Sequence, residues 1–396
     1  MGNACLMGFA IWAPIYCVPP MEHIIKAEFL LTHAQASLLF TGPFLMLMVV
    51  GFPGGFLADR IGAKKAIGIG AIIMVIGAIL RGTATSASSL LAFTFIYGVG
   101  LGLSFPNLPK MVSGWVSRQK VGMALGMYSA AMFAGEALAV GITIPSVFPI
   151  TNSFQGVFLM WSAPLVAATI SWWVLVKEPP RLSIESDSVN RVGITLRQVL
   201  RNQNLWLLAS LYLIICFFFN TWVGCSPAFL MLKGATPDLA GLVTSITLWV
   251  GIPAAFFIPR ISDRVGLRKP FLWAGMITLA ISAWVAIDVS LPLSWPLMAV
   301  TGIALTSMIP IIFTITVEMI PGGSVGTASG LVISIAMIGA VIGPLIGGRI
   351  LDLTGSLDQS FLVLIAVSAV ATGIAFRLPE TGPKLEIDNQ NDTPQS

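Results

Sequence analysis

The sequence predicts an all-α integral membrane protein with twelve transmembrane helices, arranged as two pseudo-symmetric halves of six. Composition, the number of apolar segments and an internal repeat support this fold class. Of the 396 residues, 56% are hydrophobic and only 10% are charged, whereas about a quarter of a typical soluble domain is charged. A water-soluble fold could not bury so much apolar surface. A bilayer can accommodate it, because membrane helices satisfy their backbone hydrogen bonds internally.

Twelve apolar segments have lengths close to the ~20 residues that a helix needs to cross a bilayer. Their ends are marked by Pro, Gly and charged residues. The first segment has no basic leader, so it is expected to be a spanning helix and not a cleaved signal, and the native start could lie upstream of Met1. The predicted spans are 4–20, 35–58, 65–82, 88–112, 121–144, 156–177, 205–231, 238–260, 270–288, 293–317, 325–349 and 359–378.

The basic residues predict the orientation of these spans. One set of loops and ends holds 17 of the 21 Lys and Arg residues, and the other set holds only Lys26, Arg81, Lys233 and Arg349. Basic loops remain in the cytoplasm, so both termini are predicted to be cytoplasmic in a multi-pass plasma-membrane protein. The net charge of +4 is therefore a topology signal, and no nucleic-acid partner is expected.

Composition shifts divide the chain into four regions. Residues 1–177 form a first six-helix half, and residues 205–379 form a second. The polar segment 178–204 is predicted to be a cytoplasmic linker between them. The polar tail, residues 380–396, has little to bury and is expected to be disordered.

An internal repeat relates the two halves. Asp263 follows Asp59 by 204 residues, and Gly266 follows Gly62 by the same offset. Further matches at this offset extend over four helices, pairing Pro106 with Pro310, Gly98 with Gly302, Gly122 with Gly326 and Gly126 with Gly330. Two parallel repeats of this kind are typical of secondary transporters.

The segments 55–65 and 263–269 resemble the helix 2–3 loop motif of the major facilitator superfamily and its echo in the second half. The likeness covers residues 1–379. It implies a monomeric secondary active transporter that moves a small solute by alternating access, as a symporter or antiporter, in contact with membrane lipid and without a cofactor. The strings Phe52–Gly55 and Phe105-Pro106 resemble families that carry organic or inorganic anions, including nitrate and cyanate carriers. The substrate, direction and coupling ion stay open.

The same motif supplies candidates for a conformational latch. They are Gly55, Asp59, Arg60, Gly62, Lys64 and Lys65 in the first half, and Asp263, Arg264, Gly266 and Glu318 in the second. The resemblance implies that Asp59 faces the start of the eleventh helix, near residues 322–326. Glu318 either pairs with Arg264 or is a solvated carboxylate. Positive-inside topology with a tight glycine turn is the alternative to gating.

Glu136 is the main candidate for ion coupling. It lies roughly 22 Å into the fifth predicted helix. A carboxylate is costly to keep charged at that depth and usually faces a cavity or a partner. Two interpretations are open: Glu136 carries a coupling proton, or it is a structural acid bonded to Arg81 near the outer end of the third helix.

Polar and aromatic residues in the middle of the spans are candidates for a solute cavity. Their groups suit solute recognition, but they also serve as bonds between helices. Lys110 could attract an anion, or it could snorkel to the headgroups. The candidates are Trp12, Tyr16, Tyr97, Asn107, Lys110, Tyr128, Tyr212, Asn220 and Trp222.

Signatures of other function classes are missing from the sequence. There is no Gly-Lys dipeptide and hence no phosphate-binding Walker loop. The two histidines, His23 and His33, fall in the first predicted external loop, so no metal site or catalytic triad is expected. The alternatives to a carrier are a channel or sensor with the transporter fold, and a polytopic membrane enzyme.

Overall fold

A computed structural model describes residues 1–31, 33–178, 196–320, 324–354 and 358–382. Within these ranges, twelve helical segments are long and apolar enough to cross a membrane, which confirms the predicted fold class. We number them span 1 to span 12: Gly2–Met21, Leu38–Ile61, Ala63–Arg81, Ala87–Ser113, Val121–Thr151, Phe154–Leu175, Gln203–Pro227, Leu239–Val265, Lys269–Asp288, Leu291–Met319, Val325–Gly347 and Asp358–Arg377.

Several spans consist of more than one helix, and prolines lie at or beside the interruptions. Span 1 joins helix Gly2–Tyr16 to helix Val18–Phe29. Span 4 has a 3₁₀ turn at Phe105–Asn107, and span 5 has a π-helical turn at Thr143–Val147. The helices are Gly2–Tyr16, Val18–Phe29, His33–Ile61, Ala63–Arg81, Ala87–Ser104, Leu108–Ser113, Val121–Ile142, Phe148–Thr151, Phe154–Leu175, Leu196–Arg201, Gln203–Leu232, Pro237–Trp249, Gly251–Val265, Lys269–Asp288, Leu291–Met319, Val325–Thr354 and Asp358–Arg377.

Three predicted loops differ from the structure. His23 and His33 fall in helical backbone and not in an external loop. In the predicted linker, residues 179–195 lie outside the described residues, while Leu196–Arg201 is helical. In the predicted disordered tail, residues 383–396 lie outside the described range, but Glu380 and Thr381 are hydrogen-bonded to the protein.

Glycines with positive φ follow the ends of spans 2 and 8. Gly62 has φ of 94° and Gly266 has φ of 73°. L-residues with side chains rarely adopt this conformation, so glycine is needed at both turns. Each turn lets the next span start at once, at Ala63 and at Lys269.

The two most extensive crossings between the halves are span 2 on span 11 and span 5 on span 8. At the first crossing, a methyl group built at Gly55 would overlap the carbonyl oxygen of Gly326. At the second, a methyl group built at Gly126 would lie 2.6 Å from the carbonyl oxygen of Ala255. Both crossings lie toward the bundle end that carries Ile61, Lys120, Val265 and Arg377, which we call the basic face.

Candidate functional site

Asp59, at the end of span 2, caps the first turn of span 11. Its Oδ1 accepts a hydrogen bond from the Gly326 amide at 3.0 Å, and its Oδ2 accepts one from the Thr327 amide at 2.7 Å. A carboxylate is favoured there because the N-terminal end of a helix carries partial positive charge. This is the position that the family resemblance implies for the acid. The contact joins the two halves at the basic face.

Lys110 in span 4 is the counter-ion of Asp59. Its Nζ lies 2.6 Å from Asp59 Oδ1, and the two side chains are 7% and 10% exposed. Lys110 therefore does not snorkel to the headgroups, and it is engaged in an ion pair. Asn107 lies at the same place, donating to the carbonyls of Gly54 and Leu103. Both residues belong to the basic-face contact and not to a central cavity.

Asp263 makes the corresponding contact in the second half. Its Oδ2 accepts a hydrogen bond from the Met123 amide at 2.6 Å, at the start of span 5. Arg268 lies 2.6 Å from Asp263 and also donates to Glu318 at 2.9 Å. The predicted partner of Glu318 is therefore wrong: its cation is Arg268, and Arg264 is exposed. Sequence reasoning missed Arg268 as a latch residue, although it lies in the repeated motif.

Burial of Arg268 acts to lower its pKa, but the carboxylates of Glu318 and Asp263 outweigh this effect and the pKa is raised. Arg268 therefore stays charged and bridges two acids.

Arg60 and Lys65, two basic residues of the first motif, have weaker contacts than Arg268. Arg60 stacks on the Phe56 ring at 4.3 Å, and Lys65 is exposed.

Two acids that sequence reasoning missed cap the spans that follow the glycine turns. Glu178, just after span 6, accepts hydrogen bonds from the amides of Ala63 and Lys64 at 3.0 and 3.2 Å. Glu380, just after span 12, accepts them from Arg268 and Lys269 at 2.7 and 3.1 Å. A signal was present in the sequence, because each acid lies beside a proline and two residues after the last apolar residue of its half, Val176 or Leu378.

Above the latches, an aromatic layer crosses the bundle. We define it as Trp12, Phe105, Tyr128, Tyr212 and Phe313. The Phe313 ring of span 10 lies 5.9 Å from Phe105, 6.5 Å from Tyr128 and 6.0 Å from Tyr212, and Phe105 lies 5.1 Å from Trp12. Helix positions place the layer roughly 10–15 Å from the basic face. It fills the interface between the halves with packed rings.

Glu136 lies deeper in span 5 and is 2% exposed. Its Oε2 has no hydrogen-bond partner among the described residues, and the Tyr128 hydroxyl and the Trp12 indole N–H are also unpartnered there. Tyr16, Tyr128 and Tyr212 lie within electrostatic range of Glu136. We call Glu136 and these three tyrosines the Glu136 site. Buried polar atoms without partners are rare, and the Glu136 site holds two of them, which suits it to bind a ligand or a proton.

Arg81 is not the partner of Glu136, which corrects the structural interpretation of that acid. The Arg81 side chain is fully buried, and its Nη1 donates to the carbonyl of Pro14 at 2.7 Å. Its guanidinium carbon lies 4.1 Å from the centre of the Phe158 ring. In the described structure, Glu136 therefore has no basic partner to neutralise it.

Three further cavity candidates contact other parts of the protein, and two of them, Tyr97 and Trp222, join helices. The Tyr97 hydroxyl donates to the Ile11 carbonyl, which joins span 4 to span 1. Asn220 donates to the Cys216 carbonyl at 2.9 Å within span 7. Trp222 stacks on Phe218 and meets the Phe361 ring of span 12. Of the predicted cavity residues, Tyr16, Tyr128 and Tyr212 lie within electrostatic range of Glu136, and the Trp12 ring lies 6.1 Å from the Tyr16 ring.

Comparisons with known proteins agree on one family. The Major Facilitator Superfamily model matches residues 4–234 and 225–395. Similar proteins include the uncharacterized transporter YycB of Bacillus subtilis, 23% identical over 92% of this chain and 89% of that protein. The probable sulfoacetate transporter SauU of Cupriavidus necator is 24% identical over 94% and 92%. The cyanate transport protein CynX of Escherichia coli is 20% identical over 94% and 95%.

Two solved structures have the same fold. FucP, in an outward conformation, superposes with a TM-score of 0.74 at 15% identity, covering 96% of this chain and 99% of FucP. The proton:xylose symporter XylE superposes with a TM-score of 0.77 at 16% identity, covering 96% of this chain and 95% of XylE.

Proposed function

Because this chain belongs to the Major Facilitator Superfamily, we propose that it couples the transport of a small anion to protons through Glu136. The chain is a multi-pass secondary active transporter of a small solute and not an enzyme. The homologues do not favour a channel, a sensor or a membrane enzyme. The finer proposal concerns the substrate class, the coupling ion and the orientation.

The observation that carries the proposal is a buried acid without a basic partner. Lys110 is engaged by Asp59, and Arg81 is engaged by the Pro14 carbonyl. An anion beside a charged Glu136 would face repulsion in a low-dielectric site. A protonated Glu136 removes that repulsion and can donate a hydrogen bond, as can the nearby tyrosine hydroxyls. The names of SauU and CynX as anion transporters, and of XylE as a proton symporter, support this assignment.

The mechanism follows from two parts of the structure, the contacts of Asp59 and Asp263 at the basic face and the Glu136 site farther from that face. With the basic face closed by the Asp59 and Asp263 contacts, a proton and an anion enter the Glu136 site from the opposite face. A proton and a monovalent anion together add no net charge to the site, so loading does not raise the electrostatic cost of the conformational change. Release of the two latches then opens the basic face, where anion and proton leave. No covalent bond forms or breaks.

Glu136→Gln tests the coupling. It holds the site in a neutral form, so uptake driven by a pH gradient should be lost, while solute exchange at equal pH should persist because it needs no change in protonation. Proteoliposomes would be assayed with sulfoacetate, cyanate and galacturonate, with L-fucose as the uncharged comparison. Glu28→Gln, an exposed acid, is the matched control.

Full gradient-driven uptake by Glu136→Gln would remove Glu136 from the coupling role. Uptake of L-fucose without any of the three anions would reject the anion assignment. Saturable counterflow, in which solute on one side accelerates uptake from the other, would distinguish the carrier from a channel.

The orientation has its own test. We propose that both termini and the segment around position 190 are cytoplasmic in the plasma membrane, since 17 of the 21 basic residues fall on that side. Reporter fusions at position 190 and after residue 396 should both report the cytoplasm. An external signal at either fusion would reverse the assignment.

A further inference from the structure

Span 1 is interrupted next to the Glu136 site. Helix Gly2–Tyr16 ends with Cys17 as its cap, and helix Val18–Phe29 follows directly. Carbonyl groups in the last turn of a helix lack amide partners within that helix. Pro14 lies in this turn, and its carbonyl oxygen accepts hydrogen bonds from Arg81 at 2.7 Å and from the Cys17 thiol at 3.4 Å. Arg81 therefore places a positive charge at a helix C-terminus, where such a charge is favoured.

A second hydrogen bond to the backbone of span 1 lies about one turn earlier. The Tyr97 hydroxyl donates to the Ile11 carbonyl, so spans 3 and 4 hold span 1 by two of its backbone oxygens. Span 1 also packs against span 5. A methyl group built at Gly135, next to Glu136, would overlap the Phe9 carbonyl. Span 1 is thus tied to Arg81 and Tyr97 by its backbone and packed closely against the segment that carries Glu136.

The contacts of Arg81 offset only part of the free energy that its burial costs. Its Nε and Nη2 have no hydrogen-bond partner among the described residues. The Phe158 ring compensates only partly, through a cation–π contact at 4.1 Å. The groups that face the guanidinium are Cys17 on span 1 and Tyr97 on span 4, and neither is a carboxylate.

We propose that Arg81 is a positioning residue for the transport site: by capping the interrupted end of helix Gly2–Tyr16, it fixes the position of Tyr16 in the Glu136 site. The inference rests on the proposed function of the Glu136 site and deepens it. Arg81 touches neither Glu136 nor solute and acts through span 1.

The test compares Arg81→Gln and Arg81→Lys with a matched control, Ser104→Ala. Ser104 is also fully buried and donates to the Ile67 carbonyl at 3.0 Å, but it joins span 4 to span 3 and does not contact span 1. The first readout needs no solute: peptide-resolved mass spectrometry measures how fast N-ethylmaleimide alkylates Cys216, which lies close to Tyr16. Arg81→Gln should raise this rate several-fold, Arg81→Lys should raise it less, and Ser104→Ala should leave it unchanged.

The second readout is the KM for whichever of sulfoacetate, cyanate and galacturonate the native protein carries. Arg81→Gln should raise KM about tenfold, corresponding to about 1.4 kcal/mol, at equal amounts of folded protein. Tyr16→Phe should raise KM as well. The double variant should raise KM by less than the product of the two single effects, because both changes act through Tyr16.

Multiplicative effects of Arg81→Gln and Tyr16→Phe would overturn the proposal. So would a loss of folded yield with unchanged KM and unchanged Cys216 alkylation in the protein that remains; Arg81→Lys serves if Arg81→Gln does not fold. Failure of the proposed function is a separate result, because it would appear as full proton-driven uptake by Glu136→Gln while the Cys216 readout still responded to Arg81.

Discussion

The crossing of spans 2 and 11 and the crossing of spans 5 and 8 occupy equivalent places in the two halves but use different side chains. At the first, glycines approach from both helices, at Gly55 and Gly326, and Asp59 is paired with Lys110 alone. At the second, Gly126 meets the Ala255 carbonyl, and Asp263 shares Arg268 with Glu318. At the repeat offset, Thr314 replaces Lys110 and Pro259 replaces Gly55.

The difference shows which parts of a duplicated latch depend on the backbone and which depend on side chains. Both halves keep the acid that caps the opposing span and the glycine that turns the chain with positive φ. The counter-ions changed, because any cation that reaches the acid can neutralise it. The first crossing therefore depends on one ion pair, and the second depends on a network that can lose a member.

The largest effect is expected at the closest backbone contact. Gly55→Ala places a methyl group on the Gly326 carbonyl, and overpacking of this kind costs about 1–3 kcal/mol or more, so solute exchange should fall about 10- to 100-fold. Gly126→Ala should cost less, because its methyl group would lie 2.6 Å from the Ala255 carbonyl. Gly241→Ala, which has no neighbour within 4 Å, is the control. Equal losses at Gly55 and Gly126 would mean that the crossings are mechanically equivalent.

The next effect concerns the ion pairs. Asp59→Asn leaves the buried Lys110 without its partner, a loss that costs about 3–5 kcal/mol where it is complete. Turnover should fall about tenfold with solute binding nearly unchanged, since the contact stabilises one conformer and not the cavity. Asp263→Asn should be milder, because Arg268 keeps Glu318. Exchange rates and equilibrium binding would be measured together.

The matched control for Asp59→Asn is the double variant Asp59→Asn with Lys110→Met, which removes the stranded charge and should recover part of the turnover. Weakened binding with an unchanged exchange rate would contradict the latch assignment.

The smallest effect is expected at Glu318. Glu318→Gln leaves Arg268 paired with Asp263, so turnover should fall only about two- to threefold, within the range of a weakened but surviving ion pair. Arg264→Gln should have no measurable effect, since Arg264 is exposed. A stronger effect at Arg264 than at Glu318 would show that the second latch changes its cation during the transport cycle.

Sequence reasoning predicted the spans well because apolar length is a local property of the chain. The errors arose where a partner lies far away in sequence. Lys110 was expected to snorkel or attract an anion, yet its partner Asp59 is 51 residues away. Glu318 was expected either to pair with Arg264 or to be a solvated carboxylate, but its side chain is buried and Arg268 lies between the two acids. The paired glycines of spans 2 and 11 could have been found from their Gly-x-x-x-Gly spacing at residues 51–55 and 326–330.

By itself, the sequence determined the membrane fold, the twelve spans and the repeat, because composition, apolar length and spacing encode them. The family was indicated by the resemblance of its loop motifs. Only the tertiary structure decided which charges are partners. It engaged Arg81 with the Pro14 carbonyl and Lys110 with Asp59, and it gave Glu136 no cation among the residues that the structure describes. The physical reason is that the energy of a buried charge depends on groups within a few ångströms, and helix packing sets those distances across more than fifty residues of chain.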